Sequence, residues 1–137
     1  MTALSVAWRG SFTDAEVNQL HADAFDHRVF DDAWNTLVAE NSLGWVTARD
    51  DGRLVGFVNV VWDGQVHAWL QDTIVAPSAQ RMGVGTRLVS AAQDGALAAG
   101  CEWLHVDFDD DLKAFYFEAC GFTPTNAGLI DLTDTET

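Results

Sequence analysis

Basic residues are scarce in this chain. Seven lysines and arginines stand against 21 aspartates and glutamates, a formal net charge of −14 over 137 residues, and Lys113 is the single lysine. Such a surface repels nucleic-acid phosphates and anionic membrane, so neither is expected as a partner. The excess acid fits a cationic partner such as a polyamine, an aminoglycoside or a basic peptide end. It fits equally a chain adapted for solubility or high salt, which net charge addresses first. Cysteine is limited to Cys101 and Cys120. A small domain from an oxidising compartment would carry more, so the two read as reduced, partly buried thiols. Long hydrophobic runs are missing: the apolar stretches are strand-sized, well short of a membrane span. Residues 1–9 lack the basic start and apolar stretch of a secretory leader. The expectation is a cytoplasmic protein. Proline occurs only at positions 77 and 124, both at expected element boundaries, and no repeat or linker divides the chain. With 137 residues and 48% hydrophobic content, residues 1–137 read as one domain whose core needs neither disulfide nor metal.

What is present is an ordered series of strand and helix signals. Residues 5–8 read as a short strand. Thr13 and Glu16 have capping-box spacing, and Val17, Leu20 and Ala24 then mark one face of a helix. A second helix is expected over residues 31–40. Residues 43–48, 54–62 and 65–75 read as an antiparallel meander, with turns at Asp50-Asp51-Gly52 and Asp63-Gly64. Pro77 ends it. Residues 80–99 carry helical periodicity through Val84, Leu88 and Leu97, closed by Gly100. Residues 103–108 read as a buried strand, which without a hairpin signal implies a parallel crossover. A short helix over 112–120 ends at Gly121, and Phe122 and residues 129–132 are the last strand material. The fold class is therefore α/β, a mixed sheet flanked by helices, antiparallel first and parallel at its centre.

The chemistry concentrates in the run from Ile74 to Thr86, which passes from strand through turn into helix. Gly83 and Gly85 fall where the helix begins. Glycine there lets backbone approach a ligand, and a helix N-terminus with free N–H groups is a ready anion site. Arg81 and Arg87 add positive charge in an otherwise acidic chain. A Walker loop is excluded, since Lys113 is far away; a dinucleotide fingerprint fails because Leu88 stands where its third glycine would be. The four histidines, at 21, 27, 67 and 105, have no metal-ligand spacing, and the aspartates at 107 and 109–111 lack the calcium-loop pattern. No metal is expected.

Gln80-x-x-Gly83-x-Gly85, preceded by Val75-Ala76-Pro77 and Gln71-Asp72-x-x-Val75, resembles the acetyl-CoA motif of the GNAT family of N-acetyltransferases. The run Phe115-Tyr116-Phe117-Glu118-Ala119-Cys120-Gly121-Phe122 is similar to that family's second hallmark, an aromatic helix closed by Gly-Phe. The resemblance covers residues 43–122 by motif and the N-terminal helices by topology. It implies a GNAT-like sheet whose parallel strands splay around the cofactor. Backbone of Ile74 and Val75 would bond the pantetheine arm. Amides of Arg81, Met82, Gly83, Val84, Gly85 and Thr86, with Gln80 opening the motif, would hold the pyrophosphate.

The same resemblance implies direct attack of a primary amine, small or peptidic, on acetyl-CoA, and a homodimer as assembly. Tyr116, the only tyrosine, would protonate the leaving sulfur. Yet the family tyrosine lies four residues before the glycine, where this chain has Phe117. Asp72 is the candidate base, with His67 and Gln71 on the opposite face of a regular strand; a bulge would overturn that assignment. Phe25, His27 and Phe30 lie where the family places its substrate loop, and Trp34, Trp45 or Trp69 are candidates for the acceptor pocket. The alternatives to an enzyme are an acyl-CoA-binding sensor and a non-catalytic interaction module of the same fold.

Overall fold

The computed structural model describes residues 3–133. Five strands form one sheet in the order β1 (Leu4–Trp8), β2 (Ser42–Asp50), β3 (Arg53–Trp62), β4 (His67–Val75) and β5 (Trp103–Val106). The first four pair antiparallel and β4 pairs parallel with β5. Helices α1 (Asp14–Phe25) and α2 (Trp34–Asn41) lie between β1 and β2, and α3 (Val84–Ala98) makes the crossover from β4 to β5. The mixed α/β sheet expected from the sequence is thus observed.

Adjacent residues of β3 show how the sheet is covered. A Cβ on Gly56 would meet Val84 and Leu88 of α3, at 2.7 and 3.0 Å. The ring of Phe57 points the other way, against Phe12 and Trp34 at centroid distances of 5.3 and 5.9 Å. With α3 on one face and α1 and α2 on the other, β3 is buried continuously from Leu54 to Val60. A strand covered on both faces loses the alternation of a half-solvated one. Trp8 of β1 fills the space left by two glycines, Gly44 of β2 and Gly95 of α3, where any Cβ would strike its indole.

The helix starts have local causes. Thr13 Oγ1 accepts from the Glu16 N–H at 3.1 Å and Glu16 Oε1 accepts from the Thr13 N–H at 2.9 Å, the reciprocal cap expected from the sequence. The same Glu16 receives Arg49 of β2 at 2.6 Å, tying α1 to the sheet. Helix α2 begins at Trp34, three residues later than expected. Asn18 takes both backbone groups of Asp32, at 3.0 and 3.2 Å, and so keeps that residue out of the helix. The first turn is capped instead from α1, by Asp14 Oδ1 on the Asn35 N–H at 2.8 Å.

The C-terminal part departs furthest from expectation. Strand β5 stops at Val106, and the helix expected over 112–120 is a 3₁₀ turn (Asp110–Leu112) followed by a π-helical segment (Ala114–Ala119). Residues 129–132 form no strand: they run as irregular chain with Leu129 and Leu132 about 90% exposed. A β-prone sequence becomes a strand only where a packed face receives it, and the apolar side chains of Leu129, Ile130 and Leu132 stay exposed.

Candidate active site

The centre of the site is an irregularity in β4. Phe57 pairs with Ile74 and Asn59 with Gln71, so Asp72 and Thr73 together oppose the single residue Val58. This is a β-bulge, and Asp72 takes the left-handed conformation at its apex, φ 55°. One extra residue reverses the alternation beyond it. Ile74 therefore shares a face with Gln71 and Asn59, and the expected opposition of Asp72 to His67 and Gln71 does not hold. Strand β5 pairs with β4 only from His67 to Leu70. Beyond that point β4 runs on to Val75 against β3 alone, and a gap opens between the parallel strands just where the bulge lies.

Three elements meet at the far end of this gap. A Cβ on Gly85, in the first turn of α3, would come within 3.0 Å of the Phe115 ring and 3.8 Å of Val75. Gly85 is thus required by the close approach of Phe115. Gly83 is favoured by its backbone, φ 71°, with open space around it. It ends the turn after Pro77–Ala79, and α3 starts at Val84 with no side-chain cap. The expected cofactor-binding residues cluster here: Ile74 and Val84 are buried, Val75, Met82 and Gly85 half-buried, and Gln80, Arg81, Gly83 and Thr86 exposed. A helix start whose leading N–H groups have no intrahelical acceptor attracts an anion.

Tyr116 projects from the π-helical segment into the core, stacked on Phe108 at 4.6 Å and edge-on to Phe115 and Phe122. Its hydroxyl lies beside the Thr73 side chain, at the bulge. Burial raises the phenol pKa and the Thr73 side chain offsets part of that rise. The group therefore keeps its proton at neutral pH.

On the other side of the bulge, Asp72 lines a cavity of about 350 Å³ with Asp32, Ala33, Trp34 and Leu37. Although Asp72 has an open side, burial is the largest influence on its carboxyl and raises its pKa. The charge of His21 and the nearby Asn59 side chain lower it in part. Asn59 is itself buried and accepts the Ser42 hydroxyl on Oδ1 at 2.5 Å, which leaves its amide hydrogens for Asp72. Of the expected substrate residues, Phe25 and His27 gather beside this cavity through ring contacts with His21, which also touches Trp34, and Phe30 stacks on His27. Trp69 stacks on His105, further back along β4, and Trp45 bonds the Gly10 carbonyl away from the cavity. Sequence reasoning missed Asn59, Ser42, Thr73 and Asp32; none carries a motif, and only the fold brings them to Asp72 or Tyr116. The four histidines meet as two pairs, His21 with His27 and His67 with His105. Among the described residues, no three His, Cys, Asp or Glu side chains are grouped to hold a metal ion.

Residues 6–122 match the acetyltransferase (GNAT) family. The chain belongs to the GNAT acetyltransferase family. No curated protein matches the sequence. Among solved structures, the fold is similar to a GNAT-family acetyltransferase from Streptococcus pneumoniae, with 20% identity, TM-score 0.73, and coverage of 95% of this chain and 99% of that one. It is similar to the aminoglycoside N-acetyltransferase AAC(6')-Iy in complex with CoA, with 19% identity, TM-score 0.72 and coverage of 96% and 95%. A glucosamine-6-phosphate N-acetyltransferase from Arabidopsis thaliana superposes with 14% identity, TM-score 0.74 and coverage of 95% and 99%.

Against the GNAT pattern, the tyrosine of this chain is one residue early. The π-helical segment bears on that difference. Its bonds span five residues, as in Cys120 N–H to Phe115 carbonyl at 2.9 Å, so one turn consumes one residue more than an α-turn. Counted back from Gly121, the extra residue offsets the displacement. Tyr116 turns inward and Phe117 lies half-buried against the edge of Phe108.

Proposed function

We propose that this GNAT protein moves an acetyl group from acetyl-CoA to a primary amine by direct attack within the gap between β4 and β5. The observation that carries the reading is the bulge at Asp72–Thr73, which sets a carboxylate and a buried phenol on either side of that gap. Bound acetyl-CoA supplies the activated thioester. The uncapped start of α3 and the glycine at position 83, with open space around it, suit a pyrophosphate. The unpaired edge of β4 at Ile74 and Val75 suits an extended amide arm.

The acceptor enters as an ammonium ion from the cavity under Trp34, where Asp32 and Asp72 favour a cation. Asp72 removes a proton, and its raised pKa brings it closer to the working range of a general base. Tyr116 gives its proton to the departing sulfur and recovers one from the nitrogen as the amide forms. The ammonium loses two protons in all: one ends on the thiol and one leaves to solvent. Orientation of the two substrates supplies much of the acceleration. The protein is read as cytoplasmic; no helix among the described residues is long and apolar enough to cross a membrane.

The experiment is calorimetric titration with acetyl-CoA, followed by a thiol-release screen over small and peptide amines. Saturable binding and amine-dependent thiol release are expected. Binding without turnover of any amine would favour an acyl-CoA sensor, and no binding at low or high salt would overturn the reading.

A further inference from the structure

The cavity beside the bulge has walls of two kinds. Asp32 and Asp72 bring carboxylates, and the other lining side chains, those of Ala33, Trp34 and Leu37, are apolar. Of these three, only Trp34 has a polar side-chain atom. Its indole N–H is spent inside the fold on Asn18 Oδ1, at 3.0 Å, and indole has no acceptor. The wall therefore offers no side-chain hydrogen bond to a sugar hydroxyl. Leu37 follows Trp34 by three residues on α2 and continues the same face.

The apolar surface extends outward from this wall. The His21 ring lies 6.1 Å from Trp34 and 4.7 Å from Phe25, centroid to centroid. Asp26 ends α1 in the left-handed conformation, φ 53°, and His27 folds back over His21 at 4.8 Å. Phe30 stacks on His27 at 4.4 Å. Phe25, Val29, Phe30 and Leu37 are each 37 to 55% exposed. Apolar groups gathered around a cleft mark a ligand-binding surface. Arg28 lies over the Phe30 ring, 4.6 Å from its centroid, and disfavours a second positive charge at that end. A volume of about 350 Å³ is at the small end for ligand pockets. It suits an amine on a single ring or a short branched chain better than a multi-ring aminoglycoside.

We propose that the acceptor is a small primary amine with one positive charge on an apolar body, aromatic or branched aliphatic, its ammonium held by Asp32 and Asp72 and its body laid on Trp34 and Leu37. The inference rests on the acetyltransferase reading and narrows it. The net charge of −14 belongs to the surface as a whole, whereas the cavity sets its carboxylates beside apolar walls. The carboxylates attract the cation, and apolar contact selects what the cation is attached to. The transfer is the one described above. Its product amide is neutral and loses the attraction of the carboxylates, which favours release.

The test measures acetyl-CoA-dependent thiol release with phenylethylamine, isoamylamine, spermidine, glucosamine, neamine and a short peptide that begins with phenylalanine. For phenylethylamine and isoamylamine, kcat/KM should exceed that for spermidine, glucosamine and neamine by about tenfold or more. An equal or higher value for any of those three, or for the peptide, would overturn the inference and leave the acetyltransferase reading standing. In Leu37→Asn, KM for phenylethylamine should rise about fivefold, the scale of a lost apolar contact, with KM for acetyl-CoA unchanged. Leu37→Ala only shortens the wall; it should show a smaller rise in the same direction, and it decides the point if asparagine destabilises the fold by urea unfolding. An unchanged phenylethylamine KM in the folded variant would remove the apolar wall as the selector. No thiol release with any amine removes the acetyltransferase reading, and this inference with it.

Discussion

The Tyr116 hydroxyl lies beside the Thr73 side chain, where the π-helical segment meets the bulge of β4. Two local departures from regular geometry thus meet in one contact. The π-turn offsets the early position of the tyrosine, and the bulge sets Thr73 and Asp72 beside the place where β5 stops pairing. Tyr116→Phe removes the hydroxyl and leaves the ring packing. It should lower kcat by about 100-fold, as expected for loss of a general acid, with acetyl-CoA affinity unchanged by calorimetry. The double change Y116F/F117Y should not recover activity, because Phe117 lies on the Phe108 edge rather than at Thr73. Full activity in Tyr116→Phe would remove the phenol as the acid.

Asp72→Asn keeps the shape of the bulge and removes the base. A fall in kcat/KM of about 100-fold is expected. In the wild type the acidic limb should lie above the ordinary aspartate value of 3.8, because burial raises this carboxyl and the base works only when ionised. A limb at or below that value, read from a pH–rate profile, would contradict the assignment.

Gly83→Asp separates cofactor binding from folding. Nothing lies within 4 Å of a Cβ at this position. Aspartate tolerates the left-handed conformation at a cost of about 1 kcal/mol, and a negative charge at a helix start returns much of that. Thermal stability should therefore change little, while the carboxylate repels the pyrophosphate and weakens acetyl-CoA by about tenfold or more. Unchanged affinity would move the phosphate site elsewhere. Gly85→Ala would be a poorer probe, since Phe115 fills the space a Cβ needs.

Glu16→Gln tests the tie between α1 and β2. Arg49 is the main cause that holds the Glu16 carboxyl at about 2, well below its usual 4.5. A lowered carboxylate adds stability above its unfolded pKa and loses it as pH falls through the folded one. The variant should be less stable than wild type by about 1 kcal/mol at neutral pH, discounted for partial exposure. The difference should shrink between pH 4.5 and about 2 and vanish below. Urea unfolding at neutral pH and near pH 2 reads it.

The order of elements as far as β5, the cap at Thr13, the turn glycines and the family are legible in the sequence, because each depends on residues close together in the chain. Periodicity and capping act over a few residues, and the run from Gln80 to Gly85 is one turn and one helix start. Only the tertiary structure decided which face Asp72 takes, since the bulge is set by the register of β3 against β4 and leaves no mark in alternation. The same holds for Asn59, Ser42 and Thr73, which are ordinary strand residues until the sheet brings them to a carboxylate and a phenol. The inward turn of Tyr116 depends on a hydrogen bond that closes over five residues instead of four, a choice made by its packing against Phe108, Phe115 and Phe122. Residues 129–132 teach the converse: a sequence that reads as a strand stays irregular where no packed face receives its apolar side chains.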